Sequence, residues 1–136
     1  MPRTFLDTNV LVYSDDESAP EKQERAVELV AEHRRSRTGV VSLQVLQEYF
    51  VAVTRKLHLD AQVARRKVEL LAEFDVAEPG FTDILAAIDL HRLHGFSFWD
   101  ALVLHMARQA GCSVLFSEDL QHDRKIDGIR IVNPFV

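Results

Sequence analysis

Four acidic residues stand at punctuation points of this 136-residue chain. Asp7, in Phe5-Leu6-Asp7-Thr8-Asn9, and Asp119, in Phe116-Ser117-Glu118-Asp119-Leu120, each follow a short apolar run. Asp100, in Phe98-Trp99-Asp100-Ala101-Leu102, opens a predicted helix, and Glu48, in Leu46-Gln47-Glu48-Tyr49-Phe50, sits early in another. Carboxylates gathered from such distant positions repel one another, so a cation has to hold them together. Hard oxygen ligands suit Mg²⁺ or Mn²⁺. The reaction class that follows is metal-assisted hydrolysis of a phosphodiester.

Each acid also has an ordinary explanation. Asp7-Thr8-Asn9 has the composition of a turn, since Asp and Asn bond their own backbone. Ser97 and Asp100 have capping-box spacing, and a carboxylate suits the positive end of a helix. Asp119 is a loop residue. Glu48 lies beside Gln44, almost opposite Leu46, Phe50 and Val53, so a solvated face accounts for it. What singles the four out is their common address, which comes from the order of the elements.

Arg3–Leu6 reads as a short strand. Pro20 opens a helix to about Ser36, with Ser18 as a nearby cap and Ala26, Val27, Val30 and Ala31 inward. Gly39-Val40-Val41 is a second strand. Ser42 caps a helix whose stripe is Leu46, Tyr49, Phe50, Val53 and Leu57. Asp60 caps a third helix, with Ala64, Val68, Leu71 and Ala72 inward. Phe74–Ala77 is a brief strand, and Pro79-Gly80 is a turn. Thr82 or Asp83 begins a helix that Gly95 ends. Ser97 caps the next, with Trp99, Leu102, Val103, Met106 and Ala110 as its stripe and Gly111 at its end. Ser113–Phe116 is a strand, Ser117–Asp127 a polar loop, and Ile129–Val132 the last strand, stopped by Asn133-Pro134.

Strands separated by helices imply a parallel sheet with right-handed crossovers. Ligands of such sheets sit outside the carboxyl ends of the strands. Asp7 and Asp119 lie at such ends, and a helix that follows a strand starts on the same rim.

The length suits one domain, residues 1–136, with a real core. The balance of 47% apolar and 27% charged residues is that of a globular protein rather than a disordered one. No apolar run approaches the ~18–20 residues needed to span a bilayer, and Met1-Pro2-Arg3 leads into a strand without a secretory segment. The single Cys112 makes no internal disulfide and reads as a buried, inert thiol. The expectation is a cytoplasmic protein. A net charge of −5 argues against a general nucleic-acid coat protein, but a carboxylate-based nuclease lowers the sum by itself. Positive charge gathers at His33-Arg34-Arg35-Ser36-Arg37, Arg55-Lys56 and Arg65-Arg66-Lys67, as solvated helix faces or as a phosphate track beside the acids. His91 and His94 have i, i+3 spacing, but His91 falls in line with Ile84 and Ile88 and reads as part of an apolar face. No His/Cys set has zinc spacing, the five glycines are isolated, and no Ser or Cys has an identifiable base partner.

Three segments together resemble a known family. Phe5-Leu6-Asp7-Thr8-Asn9-Val10-Leu11-Val12-Tyr13 resembles the opening motif of PIN-domain proteins. Phe98-Trp99-Asp100-Ala101-Leu102 resembles their third acidic motif, and Leu115-Phe116-Ser117-Glu118-Asp119-Leu120 their fourth. Glu48 matches the second by type and place. The compact length and Ser-Glu-Asp-Leu segment are most similar to the toxin branch, the VapC-type ribonucleases. The resemblance implies a three-layer α/β/α domain with a mostly parallel sheet. It implies Asp7, Glu48, Asp100 and Asp119 around one or two Mg²⁺ or Mn²⁺ ions. It further implies RNA cleavage to a 3′-hydroxyl and a 5′-phosphate, a homodimer, and an antitoxin whose tail covers the acidic pocket. Asp7 and Asp100 are expected as direct ligands. Glu48 binds metal or orients water, and Asp119 completes a second site or acts through water. Ser117 and Asn9 fix ligand rotamers, and Thr8 contacts phosphate or a ligand. Asp123 and Asp127 are near enough in sequence to take the place of Asp119.

Competing readings are weaker on residues. An aspartyl-phosphate phosphatase places a second Asp two residues after the first, where this chain has Asn9. A receiver domain lacks here its middle-strand phosphoacceptor and late strand-end Lys. A non-catalytic PIN-like RNA- or protein-binding module has no need of all four acids.

Overall fold

Two turns of chain after the first strand decide how the site is built. In the computed structural model, which describes residues 2–136, β1 (Thr4–Leu6) ends at Asp7, and Asp7 caps a short helix, α1 (Thr8–Tyr13). The apolar run Val10-Leu11-Val12 suggested no such helix, yet Val10 and Leu11 are buried on it. Then follow α2 (Pro20–Ser36), β2 (Gly39–Ser42), α3 (Leu43–Arg55), α4 (Ala61–Leu71) and β3 (Asp75–Ala77). The second half comprises α5 (Phe81–His94), α6 (Phe98–Gln109), β4 (Val114–Phe116), β5 (Lys125–Ile126) and β6 (Ile129–Val132).

The six strands form one sheet in the order β3-β2-β1-β4-β6-β5. All pairs are parallel except β5 with β6, so the sheet is mostly parallel, between helical layers. β5 lies inside the segment expected to be a polar loop; two residues are too few to show a strand pattern. The chain leaves β1 on one side for β2 and β3, then returns to the other side for β4. The strand order therefore reverses between β1 and β4, and a crevice opens there at the carboxyl ends of the strands. Leu6 pairs with Phe116 across this boundary, and the Asp7 N–H donates to the Phe116 carbonyl at 3.0 Å.

The core sits on the central strands, with Phe5, Leu6, Val40, Val41, Leu115 and Ile131 buried against Leu11, Val45, Tyr49, Val53, Leu102 and Met106. Ser42, Asp60 and Ser97 cap α3, α4 and α6 through side-chain oxygens, as expected. Gly95 ends α5 at φ 76°, a conformation glycine adopts without a Cβ penalty. Ser18 does not cap α2: Ala19 holds that position, and Ser18 bonds Asp16 instead.

Several stripes are rotated from expectation. On α2 the buried residues are Ala26, Leu29 and His33, while Val27 and Ala31 face outward. On α4 only Ala64 is buried, and Ala72 is exposed. Trp99 is 61% exposed rather than part of the α6 stripe. His91, Ile84 and Ile88 do share a face of α5, but that face is exposed. Periodicity fixes which residues share a face; the packing of neighbours decides which face is covered.

Candidate active site

At the end of β1 the Asp7 side chain turns into the crevice and is 6% exposed. One carboxylate oxygen accepts the Thr8 N–H at 2.8 Å, and the other accepts the Ser117 hydroxyl at 2.8 Å. Ser117 is fully buried just past β4, and its oxygen accepts the Asp119 N–H at 3.2 Å. Asn9, on the first turn of α1, donates to Asp119 at 3.0 Å and accepts the Glu118 N–H at 3.1 Å. Ser117 and Asn9 thus lace the ends of β1 and β4 together and set where Asp7 and Asp119 point.

The other two acids reach the same rim from helices. α6 runs back toward the amino-terminal edge of the sheet, where Arg3 Nε donates to the Ala110 carbonyl at 2.6 Å. Its first turn, with Asp100, is therefore at the carboxyl rim, where Ser97 accepts the Asp100 N–H at 3.1 Å. α3 leaves β2 at that rim and carries Glu48 on its second turn, bonded by Gln44 at 2.6 Å.

The four acids feel one another. Burial, first of all, pushes the Asp7 carboxyl up from 3.8 to about 6, against the two hydrogen bonds, and Asp119 and Glu48 push it further. Asp100 is also raised, chiefly by burial, with Asp119 adding to it. None of the four has an ion-pair partner among the described residues. Asp15, Glu69, Glu73, Asp75, Asp83 and Glu118 all do.

The donor set fits a hard divalent cation: four carboxylates without counter-charge, one of them buried. Two buried oxygens with no partner, Thr8 Oγ1 and Gln44 Oε1, adjoin Asp7 and Glu48. Among the described residues, however, no three acids or histidines converge closely enough to hold an ion as they stand. Glu48 is held by the Gln44 amide and Asp119 by the Asn9 amide.

A family model described as the PIN domain matches residues 4–127. The chain belongs to the PIN-domain family. Two solved PIN-like structures show the same fold at low identity. VapC20 of Mycobacterium tuberculosis, a toxin that cleaves the sarcin–ricin loop, superposes with a TM-score of 0.70 at 21% identity, over 85% of this chain and 91% of that one. A toxin–antitoxin complex from Klebsiella pneumoniae gives 0.69 at 19% identity, over 96% and 97%. No curated protein matches the sequence.

In this PIN domain the expected stand-ins for Asp119 lie elsewhere. Asp127, in the turn before β6, is at the opposite rim, 3.6 Å from Arg108. Asp123 is held by Arg130 at 2.6 Å. The basic run at the end of α2 also sits at the opposite rim, because α2 ends where β2 begins, and Arg34 pairs with Glu73 at 2.8 Å. Arg65 and Arg66 pair with Glu69, and Lys67 pairs with Asp15. The pairs and the rim they stand on favour the solvated-face reading of both runs.

Beside the acids runs a cleft of about 570 Å³ between α1 and α3, lined by Asn9, Tyr13, Glu48, Lys56, Glu118 and Asp119 among others. Tyr13 and Glu118 lie in the two motifs, but nothing in the sequence assigned them a role. Tyr13 donates to Glu118 at 2.7 Å, and Lys22 reaches the same carboxylate at 2.6 Å. This knot anchors the loop that carries Asp119. Cys112 is buried, and burial pushes its thiol up to about 11, consistent with an inert packing role. No helix among the described residues is long and apolar enough to cross a membrane.

Proposed function

We propose that this PIN domain is a divalent-metal-dependent endoribonuclease, the toxin of a toxin–antitoxin pair, with Asp7, Glu48, Asp100 and Asp119 as its acidic site. What supports the reading is that all four acids, none with a counter-cation, stand on the rim where the strand order reverses. Asp7 and Asp100 would hold the ion directly, Glu48 would bind it or orient water, and Asp119 would serve a second site or act through water. The ion, Mg²⁺ or Mn²⁺, when bound supplies an activated water and offsets charge building on the phosphate. Burial raises the Asp7 carboxyl to about 6, and a cation bound beside it would favour its charged form. Ser117 holds Asp7 in one rotamer, and Asn9 does the same for Asp119. Thr8 Oγ1, buried and unpartnered next to Asp7, would bond a ligand carboxylate, and a phosphate would reach it only if its neighbours moved.

The antitoxin and homodimer belong to the same proposal. The Klebsiella pneumoniae neighbour is a toxin–antitoxin complex. An apolar groove of about 740 Å³ between α3 and α4, floored by Leu46, Phe50, Val51 and Val68, offers an antitoxin segment a seat on the helix that also carries Glu48. The exposed row Phe81, Ile84, Leu85 and Ile88 on α5 suits a second copy of the chain.

The test is to purify the chain without its partner and map the ends it makes on total RNA, with Mn²⁺ and with EDTA. Internal cuts leaving 3′-hydroxyl and 5′-phosphate ends, abolished by EDTA, are expected. RNA binding without cleavage, indifferent to EDTA, would instead establish a non-catalytic binding module.

A further inference from the structure

A polyanion entering a cleft lined by Asp16, Glu48, Glu118 and Asp119 meets like charge, so something must seat it. Lys22 is committed to Glu118 and Tyr13. Lys56 lines the same cleft and makes no ion pair among the described residues. Arg55 beside it is likewise unpaired and lines a second, shallower groove. Glu48, Ala52 and Lys56 line both, so the two grooves are continuous.

The helix explains the layout. Glu48, Ala52 and Lys56 recur every four residues and share one face of α3; Gln47, Val51 and Arg55 form the adjoining row. At 1.5 Å per residue, Lys56 lies about 12 Å along the axis from Glu48. The small Ala52 between them keeps the floor of the channel low. One helix face thus grades from a carboxylate at the acidic rim to two free cations at its far end. The other basic runs are paired or stand at the opposite rim.

We propose that Arg55 and Lys56 are the phosphate-binding residues of this cleft, seating single-stranded RNA along α3 with the bond to be cut at the acidic end. The inference rests on the ribonuclease reading and adds which residues receive its substrate. The competing role is local: basic residues in a last helical turn complement the helix dipole. That role would lower the melting temperature on neutralisation and leave RNA binding intact.

The experiment measures anisotropy of a labelled single-stranded RNA across a salt series in EDTA, and KM and kcat for its cleavage in Mn²⁺. Four proteins are compared: wild type, Arg55→Ala/Lys56→Ala, the charge-keeping Arg55→Lys/Lys56→Arg, and Arg34→Ala/Arg35→Ala/Arg37→Ala. Each phosphate contact on a single strand contributes about 0.7 to the slope of log affinity against log salt. Losing two should flatten the slope by about 1.4, which is about 25-fold in affinity at ~0.1 M salt. KM should rise by a similar factor with kcat nearly kept. The charge-keeping pair should restore most of the slope, and the triple variant should match wild type. A double-alanine protein with wild-type slope and KM overturns this proposal and leaves the ribonuclease reading standing. So does a triple variant that loses the slope in its place. A wild type that neither binds nor cuts RNA overturns the ribonuclease reading and this inference with it.

Discussion

Replacing Asp7 by Asn should make the metal-free protein more stable at neutral pH, and the gain can be worked out. The carboxyl lies at about 6 in the folded chain against 3.8 as the ordinary value. At ~1.4 kcal/mol per pH unit this is about 3 kcal/mol. The sign follows from a raised acid: the favourable contribution is complete below 3.8, where both states hold the proton. It is lost as pH rises through about 6, because the unfolded chain ionises first. Above that the wild type carries a buried charge without a cation. Asn keeps the Thr8 N–H bond but must turn its amide to Ser117, at a cost of about 1 kcal/mol. The variant should therefore exceed wild type by about 2 kcal/mol at pH 7 in EDTA, with the difference vanishing or reversing near pH 4. Urea unfolding of both proteins at several pH values reads this directly. Adding Mn²⁺ at ~100 times its dissociation constant should return roughly 2.7 kcal/mol to wild type alone. If wild type instead gains on the variant as pH rises in EDTA, the hydrogen bonds and the cap of α1 outweigh burial, and the reasoning fails.

Three further outcomes follow from the same geometry. Asp100→Asn should abolish metal-dependent RNA cleavage with the fold intact and melt higher than wild type in EDTA, since its carboxyl is also raised by burial; a lower melt with a full Mn²⁺ shift would mean that Asp100 is chiefly a capping residue. Ser117→Ala should raise the Asp7 carboxyl further and move the acidic limb of a cleavage pH profile upward, because Asp7 loses a donor that favours its charged form; an unmoved limb would separate Ser117 from the reaction. Ile88→Asp should leave a monomer by light scattering if the α5 row joins two copies, whereas an unchanged mass would place any dimer contact elsewhere.

The positions of the acids and caps were more legible in the sequence than the surface was. Asp7 and Asp119 were readable because each directly follows an apolar run, and in a parallel sheet that position has one address. Ser42, Asp60 and Ser97 were readable because a cap is a local matter of one oxygen and one N–H. α1 was not, since six residues are too short for helical periodicity to separate from a continuing strand. Trp99 and Val27 were misplaced because a stripe shows which residues lie together, not whether a neighbour covers them. The rim taken by Arg34, Arg35 and Arg37 was not legible for a related reason. Charge is visible in the sequence, but the rim it occupies depends on which strand its helix leads into.

The hydroxyl of Ser117 joins Asp7 to the loop of Asp119 across 110 residues of chain. Nothing built on these acids can exist until β4 has docked beside β1. A nascent chain holds Asp7 and Glu48 long before it holds their partners. Completion of the acidic site is therefore tied to the pairing of β1 with β4, a contact between distant parts of the chain.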